Sequence, residues 1–150
     1  GSIESGSNTG GGGHYNRHLY ADTVKWVNEE WIDYIMPQCY TSFNYNNYSF
    51  HEITTWWNKV LEGKKCDLYI GLGLYNSISS DYTYSWKTEP DELINQLLFL
   101  NTLENVKGVS MFSFSSMKII YNDSTIISYN SFMKLKNELW VHKIKIPYND

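Results

Sequence analysis

A chain of 150 residues, 42% hydrophobic and 17% aromatic, can bury a core, encodes one domain at most and is not a disordered segment. Its 12 Lys+Arg against 16 Asp+Glu leave a formal charge of −4, and with a pI near 5.5 this argues against holding nucleic acid by a basic patch. The longest uncharged apolar run, Leu97 to Leu100, is far below the roughly 20 residues a membrane span needs.

Residues 1–18 open with a Gly/Ser/Asn stretch without apolar period and read as a flexible or active-site loop. Leu19, Val24, Val27 and Trp31 then fall on one face, predicting a helix over Leu19–Glu30. Ile32–Tyr40 is a short, nearly continuous apolar run, the pattern of a strand buried on both faces, and a polar loop, Thr41–Ser49, follows it. Ile53, Trp57, Val60 and Leu61 predict a helix over Phe50–Leu61 with Gly63 at its C-cap. Asp67–Tyr75 reads as a second buried strand, and Asn76–Lys87 as a long loop. Thr88 as N-cap, with Pro90, Asp91 and Glu92 in the first turn, opens a helix carrying Leu93, Leu97 and Leu100. A third strand covers Val106 and Gly108–Phe114. After another polar loop a final helix covers Tyr129–Leu139, and the alternation over Trp140–Tyr148 suits an added edge strand.

Strands alternating with helices define an α/β chain of parallel β/α units, either a small three-stranded layer or part of a larger barrel. Residues 19–139 carry the β/α pattern, between the 1–18 loop and the 140–150 tail. Cys39 and Cys66 lie in or beside apolar runs, which favours buried free thiols over a disulfide or a nucleophile. The 13 Tyr, 6 Trp and 6 Phe exceed what a core of this size usually takes. Half-exposed rings at a carbohydrate surface would explain the surplus, and so would an AT-rich genome.

In α/β barrels chemistry sits at the C-terminal strand ends and stability at the N-terminal ends. Asp33 and Asp67 start their strands and read as structural. The C-terminal ends carry Gln38 and Tyr40, Tyr75 and Asn76, and Ser113 with Ser115 and Ser116 beyond it. These uncharged hydrogen-bonding groups suit a polyhydroxylated ligand. Glycoside hydrolysis ordinarily needs two carboxyl groups about 5–10 Å apart, yet no Asp or Glu closes a strand here. Asp81, Glu89 and Asp123 lie in loops and read as solvated or capping. His14, His18, His51 and His142 make no ligand cluster, Gly10–Gly13 lacks the context of a phosphate loop, and Ser113 and Ser115 lack a nucleophile elbow. No metal or cofactor is therefore expected. Trp26, Trp31, Trp56 and Trp57, at helical spacing, read as packing. Trp86, in a long loop after a strand end, is the tryptophan that reads as a sugar platform.

Several blocks together carry a resemblance: Leu19-Tyr20-Ala21-Asp22-Thr23 running to Trp26, Trp31-Ile32-Asp33-Tyr34-Ile35-Met36-Pro37-Gln38-Cys39-Tyr40, Trp56-Trp57, and Asp67-Leu68-Tyr69-Ile70-Gly71. In this order, and with Gln96 and Gly108–Phe114 after them, the chain resembles the glycosyl-hydrolase-like 10 family from about Gly6 to Phe114. The resemblance implies the C-terminal portion, about strands six to eight, of a TIM-type (β/α)8 barrel that acts on cell-wall or other polysaccharide and is secreted or held as a lipoprotein. It implies barrel-mouth positions for Gln38, Tyr40 and Tyr75. The family's acidic block, expected on an earlier strand, has no counterpart here, so acid and nucleophile are expected outside this chain. The expected partners are a polysaccharide or oligosaccharide and, against the sheet's open edges, either the missing barrel segment or another copy. A glycan-binding module without chemistry and a structural or assembly role are the alternatives.

Overall fold

The computed structural model describes residues 7, 9, 19–80 and 85–142. The loop expected over 1–18 (Ser7 and Thr9 apart), Asp81 and the edge strand expected in the tail beyond 142 lie outside the described residues.

Helix α1 (Thr23–Asn28) is shorter than its apolar stripe. The Asp22 carboxylate accepts from the Lys25 N–H at 3.0 Å and so starts the helix at Thr23. Tyr20 and Glu30, with φ of +50° and +54°, turn the chain on either side of it. Trp31 consequently stands 62% exposed beside the Lys25 ammonium, 5.6 Å from its ring centre, and is not a packing residue. Strand β1 (Tyr34–Ile35) realises only two residues of the predicted Ile32–Tyr40 run. Pro37 has no N–H for the ladder, although its carbonyl accepts from Gly71 N at 3.0 Å, and pairing resumes at Gln38 opposite Gly71.

Helix α2 (Phe50–Val60) starts where the Ser49 hydroxyl accepts from Glu52 N, and Gly63 just beyond it holds φ +68°, the left-handed turn predicted there. Strand β2 (Asp67–Gly73) runs into a 3₁₀ turn (Leu74–Ser77). The expected long loop contains a further short helix, α3 (Ser85–Thr88), so Thr88 closes one helix and does not cap the next. Helix α4 (Glu92–Leu100) follows Asp91, and β3 (Val106–Phe112) stops two residues before the predicted Phe114. Where a polar loop was expected lies helix α5 (Phe114–Asn122). Helix α6 (Tyr129–Lys134) continues as a π-helical turn (Leu135–Leu139), together spanning the predicted final helix.

The strands form one open parallel sheet in the order β1-β2-β3, a mixed α/β architecture compatible with a fragment of a TIM barrel. Ile35 pairs with Leu68, and Gly73 with Phe112. Leu68, Ile70 and Leu72 are wholly buried in one core with Ile53 and Trp57 of α2 and Leu93 and Leu97 of α4. By strand alternation the opposite face carries Tyr34, Tyr69, Gly71 and Gly73, with Ser110 and Phe112 in register beside them. The expectation of strands buried on both faces holds for most of β2. In the outer strands Tyr34 and Phe112 stand more than half exposed.

Both cysteines are free and buried, as their apolar setting predicts. Burial pushes the Cys39 thiol far above its ordinary value, and burial, with Asp67 and Asp33 adding, raises Cys66. Neither is a thiolate nucleophile at neutral pH. Burial likewise pushes the Tyr48 phenol up to about 12. For each group the folded state holds the proton more tightly than the unfolded chain does. That stability is whole below the ordinary values of 9.0 and 10.0 and is lost as pH rises through the folded ones. Urea unfolding is therefore expected to show a loss of about 2 kcal/mol or more between pH 8 and pH 11, since each tenfold change in proton affinity is worth about 1.4 kcal/mol. A flat profile across that window would contradict the burial of these groups.

Candidate functional site: the C-terminal edge of the sheet

Three aromatic rings from the ends of the three strand segments meet at one edge of the sheet. Tyr40, after β1, lies across β2, where both facing residues are glycine. A Cβ on Gly73 would stand 2.8 Å from the Tyr40 Cβ, and one on Gly71 would stand 3.1 Å from its ring. Phe112, the last residue of β3, stacks beside Tyr40 with centroids 5.6 Å apart and planes 22° apart. Tyr75, in the 3₁₀ turn after β2, meets both edge-on, 5.9 Å from Tyr40 and 6.1 Å from Phe112. The cluster is anchored from below by Asn76, which is 2% exposed and donates its side-chain N–H to the Tyr40 carbonyl at 2.5 Å.

Of the residues predicted for the site, Tyr40 and Tyr75 come together in this cluster. Gln38 pairs with Gly71 and so falls on the same face, with an exposed side chain. Trp86 does not join them. It is 1% exposed, and its indole N–H donates to the Thr41 carbonyl at 3.3 Å. That carbonyl also takes the Gln96 amide at 3.1 Å, while the buried Glu92 accepts from Phe43 N at 2.6 Å and from Gln96 at 2.7 Å. Trp86 and α4 thus hold the loop after β1 from beneath, and a buried ring has no free face for a sugar. Phe112 was missed because the predicted strand runs on to Phe114 and leaves it inside an apolar run that reads as core, yet it is 54% exposed against 37% for Tyr75. The sequence carried no signal that the strand stops at Phe112.

Beyond Phe112, after a cis peptide, the Ser113 hydroxyl lies 2.6 Å from that of Ser115 and 3.5 Å from that of Ser116. None of Gln38, Tyr40, Tyr75, Phe112 or these serines carries a charge. Burial, with smaller contributions from Tyr75 and Cys39, raises the Tyr40 phenol above its ordinary value, so it stays a hydrogen-bond donor at neutral pH. Asp33 and Asp67 sit at the opposite end of the sheet, where Asp67 N donates to the Asp33 carbonyl at 2.8 Å. Glu89 is exposed, and Asp123 accepts from the Thr125 N–H and hydroxyl in a local turn that lowers its pKa. Among the described residues no three His, Cys, Asp or Glu side chains gather to hold a metal ion. No described helix is long and apolar enough to cross a membrane. The edge can stack on rings and exchange hydrogen bonds with hydroxyls, and none of its named residues is a carboxylate or a histidine.

Parallel β/α units with such an edge are compatible with a glycoside-hydrolase-like chain. Consistent with this, the chain belongs to the glycosyl hydrolase-like 10 family, whose model matches residues 7–88, more than half of its length. It is 35% identical over 113 residues to glycosyl hydrolase YngK of Bacillus subtilis (strain 168), covering 75% of this chain and 22% of that protein. It is 32% identical over 115 residues to glycosyl hydrolase DigH of Escherichia coli O6:H1, covering 71% of this chain and 25% of the relative. With DigH of Escherichia coli K12 the identity is 36% over 90 residues, 60% of this chain and 19% of the relative. The matched region is thus about a fifth to a quarter of each relative's length.

Proposed function

We propose that residues 19–139 form the last β/α units of a glycoside-hydrolase (β/α)8 barrel and supply sugar contacts to its mouth. In this reading Gln38 and Tyr40 hydrogen-bond sugar hydroxyls, and Tyr75 stacks on a ring face. The acid and nucleophile come from parts of the protein outside this chain, and the whole works on polysaccharide outside the cell or at its surface. The observation that carries the reading is the cluster of Tyr40 and Tyr75 at the C-terminal edge of a parallel sheet, the end at which such barrels place their chemistry. Membership of a glycosyl hydrolase-like family supports the substrate class. The lack of a carboxylate at the described strand ends favours a second reading, in which the chain binds glycan without cleaving it.

Titration calorimetry of the chain with soluble peptidoglycan glycan strands, cello-oligosaccharides and laminari-oligosaccharides tests this. Tyr75→Ala is expected to weaken binding about tenfold, some 1.4 kcal/mol, the worth of one aromatic stacking face. Equal affinity of wild type and variant would remove Tyr75 from the site. Robust turnover by this chain alone would overturn the placement of the carboxylates elsewhere.

A further inference from the structure

We infer that Phe112, with the hydroxyl pair of Ser113 and Ser115 that follows it in the chain, is a further sugar subsite that takes the C–H face of a neutral pyranose ring. The inference rests on the sugar-binding reading above and extends it to β3, which lies beyond the part of the chain matched by the family model. Phe112 remains 54% exposed although it touches both Tyr40 and Tyr75. That leaves part of the ring open at the C-terminal edge of the sheet, the end at which such barrels hold their ligands. Its contacts with Tyr40 and Tyr75 lower the ordering cost that a ligand has to meet.

The residues that follow Phe112 select the ligand. Ser113 and Ser115, 2.6 Å apart, share one proton between their oxygens, Ser116 lies 3.5 Å from Ser113, and the exposed Ser115 hydroxyl keeps lone pairs for a ligand. Such a pair donates and accepts at adjacent points, as two neighbouring sugar hydroxyls require. Gln38, Tyr40 and Tyr75 are also uncharged, so the cluster itself offers no counter-charge to a uronate or phosphate. A sugar with an apolar C–H face and hydroxyls at its rim matches both halves, whereas an aliphatic ligand would match the ring alone.

Calorimetry of the whole chain with chitohexaose and cellohexaose, and with polygalacturonate as the acidic counterpart, tests the subsite. Phe112→Ala and Phe112→Leu are both expected to weaken binding of a neutral oligosaccharide at least tenfold, while Phe112→Tyr stays within threefold and Ser115→Ala loses about threefold. The leucine variant keeps the apolar bulk, so its loss isolates the ring from any change in folding. If wild type binds, Tyr75→Ala weakens it and both the Leu and Ala variants at 112 bind within twofold of wild type, the subsite is wrong and the wider reading stands. If wild type binds none of the probes, both fall. Tighter binding of polygalacturonate than of the neutral probes overturns the neutral specificity.

Discussion

Replacing Trp86 by Ala is expected to cost about 3–5 kcal/mol of unfolding free energy, the range for deleting a buried large aromatic side chain. Trp86 is among the largest fully buried side chains, in one core with Leu74 and Leu93. The indole also donates to the Thr41 carbonyl, but Gln96 bonds the same oxygen, so the carbonyl keeps a partner when the ring is gone. The cost therefore comes from the cavity and lost apolar contact more than from the hydrogen bond. Trp86→Phe, which keeps most of the volume and loses the N–H, is expected to cost about 1–2 kcal/mol, of which the lost hydrogen bond is about 1. Urea denaturation of the two variants checks the ordering. A sugar platform at this position would behave oppositely: Trp86→Ala would leave stability intact and weaken only glycan binding. That result would put the indole back at the surface of the mouth.

What could be read ahead of the structure follows from how burial writes itself into a sequence. Leu68, Ile70 and Leu72 alternate in a run bounded by polar residues, and Leu93, Leu97 and Leu100 repeat at helical spacing. Their elements were legible because every one of these side chains is buried. Helix α5 was not, because Phe114, Ile119 and Tyr121 are all exposed, and Ser116 and Ile120 alone are too few to mark a face. At the site, Tyr40 and Tyr75 were legible as strand-end positions. Trp86 misled because its position in a loop says nothing about depth, and depth here is set by α4, through Glu92 and Gln96, drawing the 41–43 segment inward. The roles of Gly71 and Gly73 were also hidden. A glycine in a strand signals close approach of another group, but which group arrives depends on Tyr40 crossing from the neighbouring strand segment.

That crossing makes Gly73→Ala the substitution expected to disturb the candidate site most. The new Cβ would stand 2.8 Å from the Asn76 amide nitrogen, 2.8 Å from the Tyr40 Cβ and 3.1 Å from the Tyr40 Cα. None of these is the free end of a flexible side chain: the Asn76 amide is buried and bonded to the Tyr40 carbonyl, and the Cα is backbone. Gly73 has φ −91°, which alanine adopts without strain, so the whole cost lies in forcing the 38–40 segment away from β2. A loss of about 2–3 kcal/mol is expected, the usual scale for overpacking a well-filled site. Gly71→Ala, at 3.0 Å from the Pro37 carbonyl and 3.1 Å from the Tyr40 ring, is expected to cost less. Gly108→Ala, whose nearest neighbour is the Tyr69 ring at 3.2 Å, should cost least, because that ring can tilt. Thermal unfolding of the three variants checks the order 73 above 71 above 108. Near-ultraviolet circular dichroism should change most for Gly73→Ala, because moving Tyr40 breaks its contacts with Tyr75 and Phe112 together. Unchanged stability and spectrum would mean that the Tyr40 segment does not lie on the bare backbone of β2, and the three-ring edge would lose its physical basis.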